Sequence, residues 1–440
     1  MQKDILIIGA GAAGLMAMKQ LCTAGYKVAI LEAGSSAGGR IKTTSNEKFT
    51  TYIEEGAEFI HSNLPLTIDL LKQAGISYEP VAGKMVQSSG GGWSTNSELD
   101  KHWKELMDKM NELNADMDIQ TFLQKFFSSE KYAALCKAVQ GFAEGFDLAD
   151  ISNASVLAVK EEWDHSDDTQ YRINGGYKKL VDFLVQQCVD AGGEIFYNAA
   201  VKRIEHSDQT VTIHTEDKRV FQSAKVILTV SAGVLKSGSI AFTPAIDEQF
   251  AAIQQLGFGT VIKIFLQFSE SFWQQQQEEL SFAISGEAIP TWWTQWPKKN
   301  NMLTGWLGGP KAALWSEQST AAIVRAALLS LSSIFKIPAD ELEKKLVDHK
   351  VIDWHNNPHV RGGYSYQTVF SADAKKLLLQ PVNDVIFFAG EALSSSSSIG
   401  TVEAALQSGV DVSEKIILLD TNRHSNQQMS EKEKLFNSTD

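Results

Sequence analysis

Gly9-Ala10-Gly11-Ala12-Ala13-Gly14 is a G-x-G-x-x-G run, a spacing that serves a pyrophosphate. The first glycine permits a tight turn, the second lets backbone approach the phosphates, and the third lets a helix pack on a strand. The free N–H groups at that helix start present a positive dipole end to anionic oxygens. Glu32, followed by Ala33, lies about 20 residues on, where a carboxylate binds ribose hydroxyls. Ala37-Gly38-Gly39-Arg40 adds a second glycine-rich backbone and one fixed cation for a phosphate. A different chemistry is signalled by Thr260-Val261-Ile262-Lys263-Ile264-Phe265-Leu266. Strand alternation sets Val261, Lys263 and Phe265 on one face and Ile262, Ile264 and Leu266 on the other. Lys263 therefore has apolar neighbours on both sides, and burying an ammonium costs several kcal/mol unless it is paired or its pKa falls. Either the strand is an edge from which Lys263 snorkels to water, or the lysine has a task.

These groups need elements to hold them. The apolar run at residues 4–8 ends at Gly9, as a strand buried on both faces does. A helix over 12–24 and a strand over 27–31 complete a βαβ unit. Leu99, Trp103, Leu106, Met107, Met110 and Leu113 recur at helical spacing, as do Ala133 to Phe142, so residues 81–167 are expected to be a helical insertion. Strand patterns return at 195–197, 211–213, 226–230 and 384–389, and a helix is expected over 401–418. A second insertion spans 241–354 and holds six of the ten tryptophans, between Trp273 and Trp315. The polar, proline-free segment 421–440 is expected to be a mobile tail. The fold class that follows is α/β, a Rossmann-type dinucleotide-binding domain (1–80, 168–240, 355–420) with an interleaved α+β substrate-binding domain (81–167, 241–354).

Composition narrows the function. At 43% hydrophobic and 21% charged the 440-residue chain is ordinary globular protein, long enough for two or three domains at ~100–200 residues each. Lys and Arg number 40 against 53 Asp and Glu, a net charge of −13. No dense basic tract occurs, which argues against nucleic acid and against an electrostatic membrane anchor. Cys22, Cys136 and Cys188 lie far apart, so neither a disulfide framework nor a cysteine metal site is expected. No apolar run reaches the ~18–20 residues of a membrane span, and the run at 5–8 is too short for a signal sequence. The expected location is cytoplasmic.

With these features in place, the sequence resembles the FAD-dependent amine oxidase family, which includes monoamine, polyamine and L-amino-acid oxidases. Glu55-Gly56-Ala57-Glu58-Phe59-Ile60-His61 is similar to its flavin-ring loop. Residues 226–244, with Val230, Leu235, Phe242 and Pro244, are similar to its central strand and turn. Phe388-Ala389-Gly390-Glu391 and Gly400-Thr401-Val402-Glu403-Ala404-Ala405 are similar to its C-terminal flavin signature. The resemblance implies bound FAD, with Gly9, Gly11, Ala13, Gly14, Glu32, Ala33, Gly39 and Arg40 at the nucleotide end. Gly56, Ala57, Glu58, Phe59, Val201, Trp354, Gly390, Gly400 and Thr401 complete the site, and Glu391 is implied to bind ribityl or phosphate groups. Thr401 and Val402 would open a helix toward the pyrimidine edge, where its dipole stabilises negative charge on reduced flavin. Monoamine oxidases attach flavin through a cysteine beside the ring; none is near here, so noncovalent FAD is expected.

The implied reaction passes hydride from the α-carbon of a neutral amine to flavin N5. The imine then hydrolyses to an aldehyde or ketone, and O2 becomes H2O2. By resemblance Lys263 holds a water against N5. Trp354 and residues 361–366 resemble one wall of an aromatic cage, whose ring faces hold a cationic amine as it docks. Tyr366 is the first choice for that wall and Tyr364 the second, since the register is open by two residues. Thr401 stands where monoamine oxidases carry the facing tyrosine, which leans toward a polyamine rather than a monoamine. His61 matches a tunnel histidine of some polyamine oxidases, or is structural. Glu58, Glu144 and Asp147 either recognise a distal ammonium or are solvated, and Trp292, Trp293 and Trp296 line a pocket or the core. A carboxylate substrate is best held by a bidentate arginine, yet none occurs between Arg40 and Arg172; Arg325 and Arg361 remain. The alternatives are a desaturase or oxidase of an apolar substrate on the same fold, and a flavin-binding scaffold of low turnover. The expected partners are the amine and O2, in a monomer or a homodimer.

Overall fold

Ile5, Leu6, Ile7 and Ile8 are buried because their strand has a neighbour on each side and helices beyond. A computed structural model describes residues 2–61, 64–89, 92–94, 100–165, 169–394 and 398–436. Gln2–Ile8 pairs in parallel with Val28–Leu31 and with Val220–Leu228. Glu194–Phe196 extends this parallel set on one side, and Ile386–Phe388 joins Val220–Leu228. The antiparallel strands Val211–Thr215 and Val201–His206, with Ala241–Thr243 beyond them, complete an eight-stranded sheet among the described residues. Helix Ala12–Thr23 lies on this sheet, between helices Lys178–Asp190 and Val402–Phe436. Two glycines permit that packing. A Cβ on Gly14 would stand 2.1 Å from the Gly9 carbonyl oxygen, and one on Gly409 would stand 2.5 Å from that of Ala13.

The second sheet runs, in order, through Leu346–Asp353, Val261–Phe268, Met302–Gly308, Thr291–Trp293, Leu280–Ser285, Lys84–Ser89 and Gly92–Ser94. Ile262, Ile264 and Leu266 form one apolar core with Ile323, Ala327 and Leu331 of helix Thr320–Phe335. Phe265 and Val261 point the other way, into separate clusters. Helices Asp100–Asn111, Ile119–Phe126, Ala133–Gly145 and Val156–His165 make a cluster of their own around Phe122 and Val139. Among the described residues no single helix is long and apolar enough to cross a membrane.

Three expectations are corrected. Residues 84–89 and 92–94 are not helical; they form two strands of the second sheet, because Val86 and its neighbours pair with Leu280–Ser285. The chain does not leave the first sheet at 241: Ala241–Thr243 pairs with Val201–His206, and Ala252 and Ile253 of helix Asp247–Gln255 pack in the same core. The chain returns to the second sheet at Val261. The last helix does not stop at residue 418 but runs on to Phe436, since no proline stops it; residues 437–440 lie outside the described part.

The contact at Gly409 is testable. Gly409→Val forces a side chain into the backbone of Ala12–Thr23, and overpacking of this kind costs ~1–3 kcal/mol. Urea unfolding should show that loss, and an unchanged midpoint would contradict the close helix contact.

Candidate active site

A continuous cavity of ≈ 3020 Å³ opens at the carboxyl ends of the parallel strands and runs to the second sheet. That is several times the ~300–1,000 Å³ of an ordinary ligand pocket, room for a dinucleotide and a further chamber. At the nucleotide end it is lined by Gly9, Gly11, Ala13, Glu32, Ala33, Gly39, Arg40 and Val201. Gly14 is not in the lining; it sits at the helix–strand contact, the role its place in the motif gives it. A Cβ on Gly11 would meet nothing within 4 Å, so open space adjoins the start of helix Ala12–Thr23. The Glu32 carboxylate is fixed by the amides of Ala10 and Gly34, both at 2.7 Å. These are the features a bound dinucleotide requires.

At the middle of the cavity three segments meet on Glu391. Arg40 Nη1 donates to Glu391 Oε1 at 2.7 Å and to the Gly363 carbonyl at 2.9 Å. Ser365 Oγ and the Gly400 amide donate to Glu391 Oε2. Glu391 is thus first a clasp between segments, while Arg40 keeps the other donors of its guanidinium. Gly390, with φ of +142°, opens on empty space. Thr401 caps the last helix, its hydroxyl accepting from the Ala404 amide at 3.1 Å, and Val402 begins it. Gly56 admits no side chain, since a Cβ would lie 1.7 Å from the Arg40 carbonyl oxygen. Trp354 braces the same loop through Nε1 to the Glu55 carbonyl at 2.8 Å.

Lys263 stands opposite, 2% exposed. Its strand pairs on both sides, with Met302–Gly308 and with Leu346–Asp353, so the edge-strand alternative is excluded. Nζ donates to the Glu54 carbonyl (2.7 Å), the Gly56 carbonyl (3.1 Å) and Glu58 Oε2 (3.1 Å). Glu58 Oε1 in turn accepts from Arg172 Nε (3.3 Å), Trp293 Nε1 (3.0 Å) and Gln295 Nε2 (3.1 Å). Burial raises the Glu58 pKa, but the Lys263 and Arg172 charges outweigh it and hold the carboxyl below its ordinary value. An ammonium has three N–H donors, and all three are spent on protein. Holding a water at the ring would require Lys263 to exchange one of them.

The model of the flavin containing amine oxidoreductase family matches residues 12–417. The chain belongs to this family. It is 27% identical to lysine-specific histone demethylase 2 of Homo sapiens, over 94% of this chain and 53% of that protein. It is 24% identical to polyamine oxidase 4 of Oryza sativa subsp. japonica, over 92% of this chain and 87% of that one. The chain spans about half the length of the first of these relatives. A putrescine oxidase structure with putrescine bound superposes at a TM-score of 0.80 with 20% identity, covering 95% of this chain and 99% of that one. Cyclohexylamine oxidase from Brevibacterium oxydans IH-35A does so at 0.78, also with 20% identity, covering 94% and 98%. At that identity the structures establish the two-domain amine oxidase fold alone. FAD is the cofactor of this flavin-dependent oxidoreductase family, and the cradle fits it.

Within the amine oxidoreductase site both tyrosines line the cavity, held in different ways. Tyr366 pairs with Gly257, packs on the helical cluster and donates to Asn153 Oδ1 at 2.9 Å. Tyr364 instead lies against Gly400 and nearly parallel to Trp306, at 6.4 Å and 27°. Beside Gly400 the cavity wall is Tyr364, with Trp306 as its aromatic neighbour, and Thr401 lines the same cavity. Phe59 and His61 line the cavity, and His61 meets Phe146 edge-on at 5.6 Å. Enclosure pushes the His61 pKa down to about 4, so the ring is neutral at pH 7. Glu58 is not available to a distal ammonium, being saturated by protein donors, and Glu144 is held by Gln140 at 2.7 Å. Trp293 lines the cavity while Trp292 is core. Arg361 lines the cavity too, whereas Arg325 is paired with Glu343 and Asp340 at the surface. Arg172, Gln295 and Trp306 escaped sequence reasoning, since no local spacing ties them to Lys263.

Glu58→Gln leaves two buried cations short of their counter-charge, a change that costs ~3–5 kcal/mol. Because the folded carboxyl lies below its ordinary value of 4.5, its contribution is complete above that pH and is lost as pH falls through the folded value. Urea unfolding from pH 7 to 3 should show wild type losing stability below about pH 4.5 more steeply than Glu58→Gln. Parallel curves would contradict the pairing.

Proposed function

We propose that the protein oxidises an amine, with O2 as the electron acceptor. The observation that carries this reading is the continuity of the FAD cradle with an aromatic chamber at Tyr364 and Trp306, along a cavity that also passes Lys263. Bound FAD supplies the hydride acceptor, so that an amine leaves as imine, then aldehyde or ketone, and the electrons leave as H2O2. The protein supplies position, desolvation and field. Tyr364 and Trp306 offer ring faces to a cationic amine. Thr401 and Val402 aim a helix N-terminus at the cofactor, where it favours negative charge. Neutral His61 adds no competing positive charge of its own to the chamber. Cys22, Cys136 and Cys188 all lie away from the cavity lining, which supports noncovalent FAD. Buried carboxylates farther along the chamber disfavour an apolar substrate.

One second reading has an observation behind it. The 27% identity to a histone demethylase extends over 94% of this chain, and oxidation of an N-methyl group on lysine uses the same C–N chemistry. Peroxide release separates the two: free mono-, di- and polyamines should support it, and methylated-lysine peptides should not. Release from peptides alone would replace the first reading with the second. The active amine must be neutral when its α-carbon gives up hydride, so the rate should rise with pH toward that amine's own pKa; a flat profile would contradict this. Lys263→Met should lower turnover by about 10²–10³-fold with FAD retained, the size of one lost preorganised donor. Wild-type rates would remove Lys263 from the mechanism.

A further inference from the structure

Past Tyr364 the chamber holds two carboxyl groups that the amine chemistry has not used. Asp147 follows helix Ala133–Gly145 and is only 5% exposed. Neither of its oxygens makes a hydrogen bond of ordinary geometry among the described residues, although the Trp163 indole N–H lies beside them. Its ionisable neighbour is Glu162, on helix Val156–His165, and both line the cavity. No ion pair to either is found among the described residues, although Lys137 and Lys311 also line the cavity. A buried acceptor left without a donor costs ~1–3 kcal/mol, more when charged. Two facing carboxyls without a cation must share a proton or wait for a ligand.

Asp147 cannot move aside to relieve this. Trp306 Nε1 donates to the Gly145 carbonyl at 2.7 Å, and the Tyr364 hydroxyl donates to that of Phe146. Leu148 is wedged against three glycines: a Cβ on Gly259, Gly308 or Gly363 would come within 2.5 Å of it. The two aromatic residues at the amine chamber therefore also fix where Asp147 sits. A metal ion is a poor candidate, since no group of three or more His, Cys, Asp or Glu side chains suited to one occurs among the described residues. An ammonium suits the place better: it brings several N–H donors to acceptors that lack them.

We propose that Asp147 and Glu162 form a subsite for the second, non-reacting ammonium of an α,ω-diamine or polyamine whose first nitrogen lies at Tyr364 and Trp306. This rests on the amine-oxidation reading and names its substrate class. Burial raises Asp147 well above its ordinary value and Glu162 to about 7. An arriving ammonium therefore draws the pair toward its ionised form.

The test measures binding without turnover. The FAD-loaded protein is reduced with dithionite under anaerobic conditions and titrated by calorimetry with propane-1,3-diamine, butane-1,4-diamine and spermidine, beside propylamine and butylamine. At least one diamine or polyamine should bind about tenfold more tightly than its monoamine, the size of a lost charge-assisted hydrogen bond. Asp147→Asn and Glu162→Gln should each erase that preference while monoamine affinity stays within about threefold. Retained flavin absorbance shows that a variant is folded, and if one fails to hold FAD the other decides. Equal affinity for di- and monoamines in the wild type overturns the proposal. So does a preference that survives both substitutions, which would make the carboxyls a closed proton-sharing pair. Diamine preference in a protein whose oxidised flavin no amine reduces would leave the subsite standing and sink the oxidase reading. Amine reduction of the flavin with no diamine preference would do the reverse.

Discussion

An ammonium at the centre of a sheet, with apolar residues before and after it, is tolerable only if every donor finds an acceptor, and the way Lys263 is satisfied organises the site. Two of its acceptors are the carbonyls of Glu54 and Gly56, which ties the loop that carries the glycine contact with Arg40 to the middle of the second sheet. The third, Glu58, needs Arg172, Trp293 and Gln295 to complete its own shell. One charge thus draws together the flavin-ring loop, the strand Gln170–Ile173 and the segment around residues 293–295. Removing a partner from such a set costs ~3–5 kcal/mol, against a total stability of about 5–15 kcal/mol. The loop at residues 54–58 is preorganised by the same interactions that join it and the strand Gln170–Ile173 to the second sheet.

The second organising feature is the clasp at Glu391, which joins Arg40, Ser365 and the Gly400 amide. It sets the start of the last helix beside Tyr364. Tyr364 then serves two places at once: its ring is a wall of the amine chamber, and its hydroxyl anchors residue 146, next to Asp147. The aromatic wall and the buried carboxyls are therefore mechanically linked, as a subsite for a second cationic nitrogen would require.

Legibility in the sequence tracks the range of the interaction. The cradle of Gly9, Gly11, Gly14 and Glu32 could be read because local spacing alone creates it. Lys263 could be read as an anomaly of alternation, but its partners could not, since Glu58 and Arg172 lie 205 and 91 positions away along the chain. The order of Tyr364 and Tyr366 depends on the short pairing of Gly257–Phe258 with Ser365–Tyr366, which turns Tyr366 toward the helical cluster, and two residues of register carry no such information. The strands at residues 84–89 and 92–94 are hard to read because short strands that lack a strong apolar face, with Met85 at 55% exposure, have no pattern of their own and are specified by the neighbours they pair with. Segment 421–436 became helix without an apolar stripe, through propensity and continuation. Asp147 could be named from its residue type, but its isolation from donors is a property of packing.

The measurement that bears most directly on the central claim is the visible spectrum of the FAD-loaded protein under anaerobic conditions, before and after an amine is added. Bleaching of the flavin band by a free amine, with colour restored on admitting oxygen, is the result this account requires. A flavin that stays oxidised across mono-, di- and polyamines would contradict it, however well the cradle holds its cofactor.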